Sequence, residues 1–523
     1  MEQQKTNNKP IRWSVFIPCF LVIGGAAILG IVNNEWLTAV TNKIFSWSLS
    51  SFGWLYQMVA MVTLVLVALL AFSKIGNIRF GGSEAKAKYS FGAWFAMTLT
   101  GGIATGLITY GVNEVLIYFG NIYGELDGYG IKALSDEAAY FAMGRSFYNW
   151  TFIPYAMYAL SGVVIAYMYF NRKTELSVAA SLTPLFGEKV MNGFWKSIID
   201  TLSVLAIALG LASSLGAGLA LIGTGLSSAY GIAQGPVVWF ILTAIITITF
   251  TVASVTGIDK GIKWLAGLTS KIFYVLLIVL FILGPTIYIL NMANVGLGYW
   301  LDRFWTWGFD PSTVGGEQLV TWWTMYDWAI WIAYAPLMGI FFAIIAYGRT
   351  IRQFLVINWI LPASFGFVWF SVWGGTALKW QISGKADIIA TIQQEGAVAG
   401  IWEFLKNIPL GNIIIPVIIV ALVAAFSTTA DTMSTTIAAL CTKGARHDEE
   451  PAIWQKIVWG VSIGLIACVM VAFGGGAQGV DGVKYLAACG GFVVLIIFIL
   501  QVASAIKLFF FDKETKKDIE SER

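Results

Sequence analysis

Apolar residues along this chain gather into long runs separated by short polar connections, and the runs set its architecture. About twelve stretches of roughly 20 or more residues are long enough to cross a hydrocarbon core of about 30 Å as helix. They fall near residues 13–33, 52–73, 91–119, 148–170, 197–227, 235–256, 265–292, 319–347, 353–377, 411–441, 453–475 and 485–510. The third, fifth, eighth and tenth are long enough to tilt or break. Three connections exceed the rest. YGELDGYGIKALSDE, between spans three and four, is mildly acidic. NVGLGYWLDRFWTWGFDPSTVGGEQ, before span eight, contains an aromatic amphipathic piece that predicts an interfacial helix. GKADIIATIQQEGAVAGIWEFLKNIPLG, before span ten, has helical periodicity. Packing against the outer surface is the favoured expectation for it, and a lid the alternative.

Composition agrees with a membrane protein. Of 523 residues 58% are hydrophobic and only 12% charged, about half the charged share of a soluble protein. Lys and Arg are distributed unevenly. The N-terminal arm and the alternate loops that follow hold about 23 of the 32 basic residues, and the remaining loops about eight. That asymmetry predicts both termini in the cytoplasm, as an even number of spans requires. The net charge of +3 therefore reports topology and gives no reason to expect nucleic acid as a partner. Span one is too long, and lacks the small-residue cleavage site, for a removable signal peptide. Cys19, Cys441, Cys468 and Cys489 stand singly, with no spacing for a disulfide framework, metal site or nucleophile. The single histidine, His447, is expected to be solvated in a charged loop.

Polar residues inside spans are costly, so each calls for a cavity or a partner. In span eight, Asp327, Trp331 and Tyr334 recur at i, i+4 and i+7, one helical face. A face both aromatic and acidic suits an organic cation, through ring quadrupoles and a counter-charge. In span four, Trp150, Tyr155 and Tyr158 predict a second aromatic wall, on a helix that Pro154 makes easy to bend. Span ten carries FSTTADTMSTT. Most of its hydroxyls are expected to bond back to helix carbonyls, yet such a cluster also offers hard oxygen ligands for sodium at a broken helix. Span three opens TLTGGIATGLITYG, whose glycines weaken a helix. In span five, ALGLASSLGAGLALIGTG is better explained by close helix packing.

These segments together resemble the betaine/carnitine/choline transporter family. The strongest match is WWTMYDWAIWIAYAPLMGIFFAIIAYGRTIRQF, which is similar to that family's tryptophan-rich motif and the basic signature after it. The likeness extends to YGVNE in span three (with Glu114), NWTFIPYAMY, SLG in span five, GIDKGIK and STTADT. The resemblance implies an all-α membrane protein of about twelve transmembrane helices, with a LeuT-like core of two inverted five-helix repeats, and a homotrimer. It implies an N-terminal arm with two peripheral helices over 1–90, repeats over 91–292 and 319–510, an interfacial region at 293–318 and a short tail at 511–523. It also implies a small quaternary ammonium substrate held in a box of Trp150, Tyr155, Tyr158, Trp331 and Tyr334, beside Asp327. A family tryptophan is replaced by Ile330, which removes about 0.5–2 kcal/mol of cation–π attraction. A carboxylate at Asp327 facing the same cavity would compensate and favour a net-positive substrate; a structural pairing with an arginine or hydroxyls across the helix interface is the alternative expectation. Sodium, the coupling ion, would be held by Thr428, Thr429 and the carbonyls of Thr100 and Ile103. A second sodium site is lost, because Ile207 and Leu211 stand where it needs hydroxyls. No other cofactor is implied.

Sodium symport of a quaternary ammonium compound is thus the leading expectation. A sodium-independent exchanger of the carnitine/butyrobetaine type would replace the hydroxyls with an arginine from span seven, where this chain has Thr269. An integral-membrane enzyme would need a catalytic constellation that the sequence lacks. The short tail favours nutrient uptake over osmosensing.

Overall fold

A computed structural model describes residues 9–102, 104–257, 261–473 and 480–521. The described chain is helical, and its only extended pairings are two isolated bridges, Ile11 with Thr442 and Arg79 with Thr350. Eleven helices among the described residues are long and apolar enough to cross a membrane. The third expected span is described as Phe91–Gly102 and Ala104–Gly120.

Several boundaries differ from the hydropathy pattern for clear reasons. Span two runs over Asn34–Phe72, a length of roughly 58 Å at 1.5 Å per residue. It therefore extends well beyond a hydrocarbon core. Asn33 starts it by accepting the Trp36 amide at 3.0 Å. Span seven stops at Leu283, because Gly284 and Pro285 interrupt it, and a separate helix then covers Thr286–Gly308. Span four begins earlier than expected, as Asp136–Trp150, and resumes as Phe152–Phe170 after Thr151 leaves helical geometry. Its first half is buried but carries Arg145, Ser146 and Asn149, which depress its hydropathy and hide it. Pro154 lies in the first turn of the second half, where its missing N–H costs no hydrogen bond. The kink thus falls at Thr151, ahead of the proline.

The segment before span ten forms helices Ile388–Glu395 and Ala397–Lys406, joined at Gly396 with φ +93°. Trp402 of the second is buried and donates to the Leu221 carbonyl at 2.9 Å, so this helix packs as expected.

The two ends of the described chain lie on one face. The Arg12 amide donates to Cys441 O at 2.8 Å, and Arg12 pairs with the buried Asp200 at 2.7 Å. At the other end, Arg172 after span four pairs with Asp512 at 2.5 Å. The basic signature is structural here. Arg352 donates to the last carbonyls of span two, Ala71 O at 2.9 Å and Ser73 O at 2.8 Å, where a cation also complements the helix dipole.

His447 is half-buried rather than freely solvated. Its ring packs 4.9 Å from Phe170 and 5.1 Å from Tyr347, and Nδ1 lies 3.2 Å from the Tyr169 hydroxyl. The 441–452 loop is thereby docked onto span four and the 345–350 turn. Burial lowers the His447 pKa, Asp448 opposes that, and Arg446 and Lys88 add to it. An undocked histidine, near 6.5, therefore binds a proton more readily than the docked one. The contribution of His447 to docking is fully present above pH about 6.5 and is lost as pH falls through the lower docked pKa. We expect amide exchange over 443–449, corrected for its intrinsic pH dependence, to quicken between pH 7.5 and 5.5. The His447→Gln variant should lack that response; equal responses would refute the docking role.

Candidate functional site

Spans three, four, five and eight, with Phe426 of span ten, line a central cavity of about 140 Å³. Trp150, Tyr158, Trp331 and Tyr334 contribute rings to its wall, and Asp327 contributes its carboxylate. These residues come from two spans whose aromatic positions were legible separately, and the fold faces them across one space. Trp331 lies at the centre, 4.6 Å from Tyr158, 5.2 Å from Tyr155 and 6.3 Å from Trp150, by ring centroids. Tyr155 is not part of the cavity wall. It is buried in contact with Trp331, one layer back.

Span eight opens with a π-helical segment, Val320–Met325, and continues as Tyr326–Ile344. The wider turn precedes Asp327, and such bulges are common at functional sites. Asp327, Tyr326, Thr109 and Tyr110 line the central cavity and also a second space of about 790 Å³. That larger space is lined by Tyr123 and by Gln393–Val398, where the two short helices before span ten meet. It is a vestibule leading to Asp327. Trp322 and Trp323 line it rather than serving only as interface anchors. Trp323 donates to Glu125 at 3.3 Å, and burial pushes the Glu125 carboxyl above the usual range.

Span five supplies a wall that its composition had disguised as packing. Gly210, Ser213, Ser214, Ala217 and Gly218 line the cavity. A Cβ on Gly210 would come within 2.5 Å of the Tyr334 ring, so glycine there sets the room for that ring. Ser214 and the Tyr334 hydroxyl are 2.7 Å apart. The recurrence of small residues at 210, 214, 217 and 218 is the signal that could have found this face. Further along, Gly223 and Gly225 do pack as expected, against Trp239 and Trp402.

The proposed ion ligands fall at the junction of spans three and ten. The Thr429 hydroxyl lies 3.4 Å from the Thr100 carbonyl and 3.1 Å from that of Ala425. This brings a hydroxyl and two carbonyls from two helices together, out of water. Thr428 bonds back to Ala424 O at 2.8 Å, and Ile103 lies outside the described residues. Ile207 and Leu211 are fully buried, and Thr269 bonds back to Leu265 O at 3.0 Å.

A multi-pass helical bundle around a small chamber, with a vestibule on one face, is the architecture of a membrane carrier. The chain belongs to the BCCT family, the betaine/carnitine/choline family transporters, whose family model matches residues 14–514. It is 29% identical over 504 residues to an ectoine/hydroxyectoine transporter of Virgibacillus pantothenticus, covering 96% of this chain and 97% of that one. It is 29% identical to the osmo-independent choline transporter BetT1 of Acinetobacter baylyi, covering 90% and 88%. To the glycine betaine transporter OpuD of Bacillus subtilis it is 28% identical, covering 94% and 93%.

Proposed function

We propose that this transporter takes up a quaternary ammonium compound by sodium symport, through one sodium site. The observation that carries the substrate class is the central cavity, where seven aromatic residues, Trp150, Tyr158, Trp331 and Tyr334 among them, line one small space with Asp327. Ring faces attract an alkylated ammonium without requiring hydrogen bonds that it cannot make. Relatives named for choline and glycine betaine support the same class. Asp327 at the junction of vestibule and cavity favours a cation such as choline over a zwitterion, which brings its own negative charge. Ion coupling rests on Thr429, Thr428 and Thr100, and the apolar Ile207 and Leu211 leave no second site of that kind. In this reading the face bearing the termini is cytoplasmic, in keeping with its basic loops. The core is two inverted five-helix repeats, over 91–292 and 319–510, and the assembly is a homotrimer.

The test is uptake into proteoliposomes with and without an inward sodium gradient, using choline, glycine betaine, carnitine and butyrobetaine. We expect sodium-dependent uptake with choline preferred. Sodium-free uptake at an undiminished rate, stimulated by substrate loaded inside, would instead establish an exchanger. Preference for glycine betaine would refute the role given to Asp327.

A further inference from the structure

Glu114 of span three is a fully buried carboxylate outside the cavity wall. Its Oε2 accepts the indole N–H of Trp150 at 2.5 Å. Its Oε1 accepts the Tyr118 hydroxyl at 2.8 Å and the Asn149 amide at 3.1 Å. The chain of donors continues away from the cavity. Asn149 Oδ1 accepts the Thr324 hydroxyl at 3.1 Å, and Thr324 Oγ1 accepts Arg145 Nη2 at 2.5 Å. Every link points the same way, from guanidinium to carboxylate, so each bond polarises the next. Arg145 is itself fully buried, with its guanidinium 5.0 Å from the Tyr148 ring and 4.9 Å from the Trp307 ring. Two charges out of water would each be costly alone. Here two neutral side chains connect them instead of direct contact.

The relay bears on the cavity through Trp150. Its ring stacks with those of Tyr110, at 5.1 Å and 29°, and Phe370, at 5.8 Å and 29°. Stacked neighbours resist tilting but restrain rotation of the indole in its own plane less. Gly106 keeps space open at the ring edge, where a Cβ would come within 2.8 Å. The bond to Glu114 is the hydrogen bond that restrains the in-plane orientation.

We propose that Glu114 is a positioning residue, which holds Trp150 as a wall of the substrate cavity and ties that wall, through Asn149, Thr324 and Arg145, to the π-helical opening of span eight. The inference rests on the reading of the cavity as the substrate site. Orientation of a box wall and placement of the vestibule end of span eight are thereby one coupled setting. A substrate can sense both.

The test is a double-mutant cycle on uptake in proteoliposomes, with choline and glycine betaine as the probes. Glu114→Gln, which puts an amide of poorer acceptor strength opposite the indole, is expected to raise KM roughly fivefold to thirtyfold with Vmax little changed. In the Trp150→Phe background, which has no indole N–H, the same change is expected to have no further effect on KM. An undiminished Glu114 effect in that background would overturn the positioning role, since a general structural disturbance does not depend on the N–H. Thr324→Val keeps the claim testable if Glu114→Gln does not insert. It cuts the relay while leaving Glu114 and Trp150 in place, and should raise KM only when Trp150 is present. An unchanged KM for Thr324→Val overturns the link to span eight. If neither Trp150→Phe nor Trp331→Leu alters KM, the cavity reading itself fails. If both do and Glu114→Gln does not, only the positioning role falls.

Discussion

Replacing Trp331 with leucine is expected to weaken substrate binding by about 1–2 kcal/mol, roughly fivefold to thirtyfold in Kd. The Trp331 ring contacts Trp150, Tyr155 and Tyr158 together. It also forms part of the cavity wall. Leucine keeps the site apolar but removes the ring quadrupole that attracts an ammonium. It also leaves space beside Tyr158, so some loss of thermal stability accompanies the loss of affinity. Membrane insertion and a cooperative melt should survive. Binding by the purified variant, measured beside its melting curve, separates the two effects. A variant that binds and transports like the parent would make Trp331 a packing residue and remove the central wall from the proposed box.

The second large effect concerns the ion. Joint replacement of Thr428 and Thr429 by alanine is expected to raise the sodium concentration for half-maximal uptake by about tenfold or more, equivalent to about 1.4 kcal/mol. The physical reason is hydration: sodium gives up bound water only where protein oxygens replace it. Thr429 is the hydroxyl that reaches across to the Thr100 carbonyl, so its loss removes the proposed ligand between spans three and ten. With one sodium per cycle, a zwitterion carries one net positive charge inward. An inside-negative potential should then speed its uptake, with an equilibrium contribution of about 2.3 kcal/mol per charge at 100 mV. Lithium should substitute in part and potassium not at all. Uptake indifferent to both the double substitution and the sodium gradient would dismiss the symport reading.

Much of the architecture was legible because a membrane imposes a simple rule. Each crossing needs about 20 apolar residues whose backbone groups bond within the helix. Local sequence carries that information, and the spans accordingly lie where apolar runs lie. Helical spacing likewise determined that Asp327, Trp331 and Tyr334 share a face, since 3.6 residues per turn holds wherever the helix packs. The family motifs, spread over nearly the whole chain, carried the class of transporter.

What only the tertiary structure decided are the contacts between distant segments. Polar residues in a span signal a cost but do not name the partner that offsets it. Thus Arg145, Ser146 and Asn149 concealed the first half of span four, although burial among other helices is what makes that half tolerable. A glycine or serine in a helix looks the same whether it faces a neighbour or a cavity, so Gly210 and Ser214 became a wall only when Tyr334 was placed against them. The separation of Tyr155 from the cavity by Trp331, and the docking of His447 among Tyr169, Phe170 and Tyr347, depend on depth and on packing across the bundle. Periodicity along one helix contains neither. Sequence determined which faces each helix presents. The fold decided what those faces meet, because that is set by side-chain volumes and hydrogen-bond geometry between helices far apart in the chain.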